Sequence, residues 1–148
     1  MKLPEYISKE EVARVCRELG ISDWSAMEKP IVSREEAGII LRLVNTGGLA
    51  VRLEDFQRGL EVELEHGTTY PDANVTNNHP VLTGLIVMAH FKETLDYYQR
   101  LEVAELEGDM RKAYAAGDTA KLADKYGKLL KARLELAEAE RYQVNAGI

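Results

Sequence analysis

The sequence predicts an all-α protein of about five helices with a ferritin-like, four-helix-bundle core. Three observations predict it. Serine-led capping boxes open two segments, apolar residues recur at helical spacing through most of the chain, and no run alternates as a strand does. Leu49-Ala50-Val51 is too short to count as a strand.

Ser8-Lys9-Glu10-Glu11 is the first capping box, followed by a helix from about Lys9 to Leu19 that Gly20 stops. Val12, Val15, Cys16 and Leu19 form its apolar stripe, so Cys16 reads as core. A polar link follows, with Trp24 expected to anchor it on the core. Ser33-Arg34-Glu35-Glu36 is the second box, and Ala37, Ile40, Leu41 and Val44 share a face of its helix. A third helix opens at Leu53-Glu54-Asp55 and is expected to run to His66, with Gly67 as its stop. Residues 67–80 read as a long loop, a kind often functional. Pro80 then suits a first helical turn, with His79 or Asn78 near the cap. The fourth helix is expected to be one long rod from about Val81 to Ala115. A tight turn at Ala115-Ala116-Gly117-Asp118 leads into a last helix from about Thr119 to Asn145. That helix is expected to present Leu122, Tyr126, Leu129, Arg133 and Leu136 to its neighbour.

The chain has 148 residues, 45% hydrophobic and 30% charged, enough for a single domain with its own core over 1–148. The net charge of −6 is unevenly spread: residues 53–109 hold 12 acidic and 3 basic side chains. Such a segment repels phosphate backbones and attracts cations, which argues against nucleic acid as a partner. One cysteine allows no internal disulfide, and no CxxC pair offers a thiolate metal site. With no leader pattern and no long apolar run, the expected location is cytoplasmic, away from membranes.

The chemistry concentrates in two pairs, Glu63-x-x-His66 and His90-x-x-Glu93. Residues three apart share a helix face, so each helix offers one imidazole beside one carboxylate. These donors suit iron, manganese or zinc, and facing helices carrying Glu-x-x-His are the logic of bundle di-metal sites. The expected row on the third helix is Phe56, Gly59, Glu63 and His66. On the fourth it is Ile86, His90, Glu93, Tyr97 and Leu101. Glu61 and Glu65 are further candidate ligands, and Tyr97 or Tyr98 would support the site from behind. All three histidines, His66, His79 and His90, fall within residues 66–90. A plainer account stands beside this one. His66 would cap a helix C-terminus, His90 would be a satisfied core histidine, and Glu93 would pair with Lys92 or Arg100.

The run Phe56-Gln57-Arg58-Gly59-Leu60-Glu61-Val62-Glu63-Leu64-Glu65-His66-Gly67, then Asn74-Val75-Thr76, Ala89-His90-Phe91-Lys92-Glu93 and Asp96-Tyr97-Tyr98-Gln99-Arg100-Leu101, resembles an uncharacterised family of small bacterial, archaeal and phage proteins. The resemblance covers about residues 8–107 and places Glu63, Glu65, His66, His90, Glu93, Tyr97 and Tyr98 inside the shared blocks. It implies no reaction. The stretch around Thr46-Gly47-Gly48 reads as an insert, and the segment from about Asp109, with a helix at about 118–146, reads as an addition.

The functional expectation is a ferritin-like metal carboxylate–histidine protein with an oxidase or storage role. The alternative is a non-enzymatic helical interaction protein assembling as a dimer or larger homo-oligomer, without metal. A third reading is a metal-independent hydrolase or binding pocket around the 67–80 loop.

Overall fold

A computed structural model describes residues 6–147. Among these there are six α-helices, two single 3₁₀ turns and no strand. The chain divides into two compact units, one ending at Lys92 and the other beginning at Glu93. The all-helical expectation holds; the ferritin-like bundle is not established by this arrangement.

In the first unit, α1 spans Lys9–Leu19, with the Ser8 hydroxyl accepting the Glu11 N–H and Gly20 closing it at φ 68°. Val12 and Cys16 are buried along it. A 3₁₀ turn at Trp24–Ala26 follows, and the Trp24 ring is wholly buried, as an anchor should be. α2, Arg34–Val44, begins with a complete capping box: Ser33 Oγ accepts from Glu36 N, and the Glu36 carboxylate accepts from Ser33 N. The same carboxylate also takes the Ser22 hydroxyl and N–H, so one glutamate joins the α2 cap to the link after α1.

α3, Leu53–Thr69, buries Phe56, Gly59, Leu60 and Leu64. It runs past the expected stop at Gly67. A Cβ at Gly67 would fall onto the Asn78 carboxamide and lie 2.7 Å from Asn74 Nδ2. This glycine therefore serves close approach rather than a left-handed cap. A 3₁₀ turn, Pro71–Ala73, leads back to α4, Pro80–Glu93, which buries Thr83, Gly84, Val87, Met88 and Phe91.

His79 begins α4. Its carbonyl accepts from Thr83 N at 2.9 Å and its Nδ1 from Leu82 N at 3.3 Å. Nδ1 can accept only while unprotonated. Burial pushes the imidazole below its usual pKa, against the pull of the Glu11 carboxylate. In the unfolded chain the ring gains a proton near pH 6.5; in the folded chain it does so lower. Its contribution to stability is complete above that value and is lost as pH falls through the folded pKa. The melting temperature should therefore drop from pH 7.5 to pH 5.5, and His79→Asn, which caps without titrating, should flatten that drop. An unchanged slope in the variant would refute this role.

The expected rod from Val81 to Ala115 is two helices. It breaks at Thr94-Leu95-Asp96, and α5 spans Tyr97–Ala115. The cause is local: the Thr94 hydroxyl donates to the Asp96 carboxylate, which also takes two bonds from Arg100, at 2.9 and 2.8 Å. These bonds run between side chains and lock Asp96 at the break; its carboxylate makes no bond to the α5 backbone.

The second unit is a helical hairpin. Gly117, at φ 68°, turns α5 into α6, Thr119–Ala146, and Asp118 accepts the Lys121 N–H. Val103, Leu106 and Met110 meet Leu129 and Ala132. The α6 seam steps through Leu122, Lys125, Leu129, Ala132, Leu136 and Ala139 in alternating threes and fours. The expected stripe is thus rotated: Tyr126 and Arg133 are exposed, and Ala132 and Ala139 are buried in their stead. Alanines let the two backbones approach where larger residues would hold them apart. Ion pairs Lys125–Asp109, Arg133–Glu107 and Arg100–Glu140, each 2.7 Å, lace the hairpin from side to side.

Candidate functional site

The site grows from α3. Glu63 lies one residue before buried Leu64, at the edge of the buried face, and its side chain is 17% exposed. His90 occupies the matching border of α4, one residue before buried Phe91, and is 26% exposed. The two meet: His90 Nε2 stands 3.4 Å from Glu63 Oε1. That is long for a charge-assisted hydrogen bond, which usually closes to about 2.8 Å.

Glu63 also lines a cleft of about 160 Å³. His66, Gly67 and Thr83 share its wall, and Ala73, Asn74, Val75, Thr76 and Asn78 form its other side. A carboxamide network shapes that side. Asn74 Nδ2 donates to Gly67 O at 3.3 Å and to Asn78 Oδ1 at 2.9 Å, and Asn78 N donates to Asn74 Oδ1. Asn78 Nδ2 reaches the Trp24 carbonyl at 3.4 Å. Asn77 and Asn78 both hold positive φ, 48° and 62°, a conformation asparagine tolerates better than most side chains. Two such residues in succession beside a cleft fit the general clustering of backbone strain at functional sites.

The other expected ligands take different places. His66 is exposed on the cleft wall. Glu61 accepts the Val32 N–H at 3.1 Å and so holds the entry to α2. Glu65 is exposed. Glu93 is exposed at the last position of α4 and belongs to the second unit, as do Tyr97 and Tyr98, whose rings pack edge to face at 5.2 Å. Among the described residues, no three His, Cys, Asp or Glu side chains gather as a ready-made metal cage. From sequence, Asn78 reads only as a possible helix cap and Asn74 only as part of a shared block, and neither Thr83 nor the carboxamide network is anticipated. The Asn77-Asn78 doublet before His79-Pro80 was their available signal, since such doublets favour left-handed backbone.

Fold and cleft together define a small all-helical protein with a polar cleft beside α3 and α4 that carries one glutamate, Glu63, and one histidine, His66. The chain belongs to the family described as Protein of unknown function (DUF5661), whose model matches residues 12–107. That span takes in the whole of the cleft and ends inside α5. No curated protein and no solved structure matches the chain. No helix among the described residues is long and apolar enough to cross a membrane.

Proposed function

We propose that the chain binds one divalent transition metal ion at Glu63 and His90, with His66 turning inward as a third ligand. The observation that carries this reading is the 3.4 Å between His90 Nε2 and Glu63 Oε1. Two donors each about 2.05 Å from a tetrahedral zinc ion stand about 3.4 Å apart. An octahedral ion with bonds near 2.1 Å would draw them to about 3.0 Å. The spacing lets one zinc, iron or manganese ion bridge the two donors. The acidic run Glu61, Glu63, Glu65 adds a field that attracts cations. Held by two or three side chains beside an open cleft, such an ion would keep a free position and act as a Lewis acid. Glu93 and Glu65 stand outside this minimal set.

The test is elemental analysis of protein purified without an affinity tag. About one zinc, iron or manganese per chain is expected, falling to a small fraction in Glu63→Gln and His90→Ala. Cobalt substitution should give the intense visible bands of a four-coordinate site. Folded, metal-free protein that takes up no added zinc would overturn the proposal. A second reading keeps the cleft without the ion: its carboxamide wall and strained asparagines suit a small polar ligand. That reading gains if metal uptake fails.

A further inference from the structure

We infer that Asn74 is a positioning residue for His66, holding the turn of α3 that carries this imidazole to the cleft, an assignment that rests on the metal site proposed above. α3 has no buried residue after Leu64. Core packing therefore holds Glu63 through its neighbour Leu64, whereas His66 lies in a last turn that the core does not grip. Such a turn frays unless something else ties it down. The Thr68 hydroxyl bonds back to the Leu64 and Glu65 carbonyls, each at 3.1 Å, and these bonds stay within α3. Asn74 supplies a tie to the rest of the fold: its Nδ2 donates to the Gly67 carbonyl at 3.3 Å, one residue beyond His66.

The contact is built from both sides. On α3, position 67 lacks a side chain although its backbone is helical, where glycine is a poor choice. A Cβ there would fall onto Asn78 Oδ1 and stand 2.7 Å from Asn74 Nδ2 and 2.9 Å from Asn74 Cγ, so only glycine lets the carboxamides lie against the α3 backbone. On the loop, the Asn74 carboxamide is used at both ends. Its nitrogen also donates to Asn78 Oδ1 at 2.9 Å, and its oxygen accepts from Asn78 N at 3.3 Å. Asn78 is 6% exposed and donates in turn to the carbonyl of Trp24, whose ring is wholly buried. The bonds thus run from the core through Asn78 and Asn74 to the end of α3. A glycine inside a helix and two successive asparagines at positive φ all cost stability, yet no residue of the turn they fix is buried. What that turn gives the cleft is Gly67, taken up by this contact, and His66. Asn74 thereby sets where the imidazole stands relative to Glu63.

Zinc affinity of the full chain, measured against a competing chelator, tests this role. Asn74→Ala should weaken zinc binding by about 10- to 100-fold, the range typical of groups that orient a ligand. Gly67→Ala, which displaces the carboxamides from the other side, should do the same. The decisive comparison is made on His66→Ala. Adding Asn74→Ala to it should weaken zinc binding by less than about twofold, because a residue that acts through His66 has nothing left to position. A loss in that background as large as in the parent would overturn the inference and make Asn74 a support of the whole cleft. So would an Asn74→Ala variant with the parent's affinity. In metal-free protein, amide hydrogen exchange at residues 67–70 should quicken about tenfold or more in Asn74→Ala, while the amides of Leu60 and Leu64 stay slow. Unchanged exchange would overturn the role independently of any metal. A parent chain that takes up no zinc would overturn the metal site itself, and this role with it, even where exchange quickens.

Discussion

Gly84→Val should destabilise the first unit by more than about 3 kcal/mol. Gly84 is buried in α4 where α2 passes across it, and an added Cβ would stand 2.6 Å from Ile40 Cγ2 and 3.3 Å from Val44 Cγ1. Ile40 is fully buried and cannot swing aside. Even Gly84→Ala should cost about 1–2 kcal/mol, because overpacking exceeds the roughly 1 kcal/mol of helix propensity it gains. Gly38→Ala is the control. It also lies within a helix, but its Cβ would meet only the far end of Arg42 at 3.5 Å and Leu53 Cδ2 at 4.0 Å, both ordinary contacts, so it should be neutral or stabilising. Urea unfolding of the three variants measures all of this. If Gly84→Ala were as stable as the parent, α2 and α4 would not be held at this distance.

Asp96→Ala should cost the hairpin unit about 2–4 kcal/mol. Its side chain is 1% exposed and receives bonds from the Thr94 hydroxyl and twice from Arg100. Removing the carboxylate strips the start of α5 of all three. Arg100 itself is half exposed, so the Coulomb part of the pair is largely screened and most of the cost comes from the lost bonds at the buried end. Burial alone would push the Asp96 carboxyl up in pKa. The hydrogen bonds from Arg100 and Thr94 outweigh burial and hold it below the usual carboxylate range. Because the folded value is depressed, this stabilisation is complete above the unfolded value near 3.8 and is lost as pH falls through the folded one. Guanidinium unfolding at pH 7 should show the full difference between parent and Asp96→Ala, and the difference should shrink toward pH 2. A loss below about 0.5 kcal/mol at pH 7 would mean that the bonds do not define the break.

Helix starts were the most legible feature. Ser8 and Ser33 announce themselves because a serine cap is a short local pattern whose partners lie three residues apart; only Ser33 completes the reciprocal box, since the Glu11 carboxylate takes Arg14 instead. Trp24 and Cys16 were placed in the core correctly for a similar reason, since large or thiol side chains on apolar stripes rarely stay in water. What failed were judgements that depend on distant residues. Gly67 looks like a helix stop, yet it is a contact point for Asn74 and Asn78, which only the folded loop reveals. Asp96 reads as one more surface acid in a long rod until its bonds to Thr94 and Arg100 are seen. On α6, large residues drew attention from the alanines that pack. At the site, Glu63 and His90 were both named from sequence and do meet. His66 shares the cleft with Glu63, whereas Glu61 is bonded elsewhere and Glu93 sits at an exposed helix end. Helical spacing gives the face a residue occupies but not the rotation of that face toward its neighbour.

The asparagine bonds also bear on how structure is acquired during synthesis. Asn77 Nδ2 donates to the Ile7 carbonyl at 2.6 Å, and Asn78 ties down the Trp24 carbonyl. These links span 70 and 54 residues of chain. On a ribosome that adds about 5–20 residues per second, the Trp24 carbonyl therefore waits about 3–10 s for Asn78 to be made. The α5–α6 hairpin has no such delay, because its turn is three residues long and its contacts zip outward from Gly117. In the nascent chain the earlier-made Ile7 and Trp24 carbonyls thus wait seconds for their partners while the later-made hairpin closes almost at once, so order of emergence and order of bonding differ.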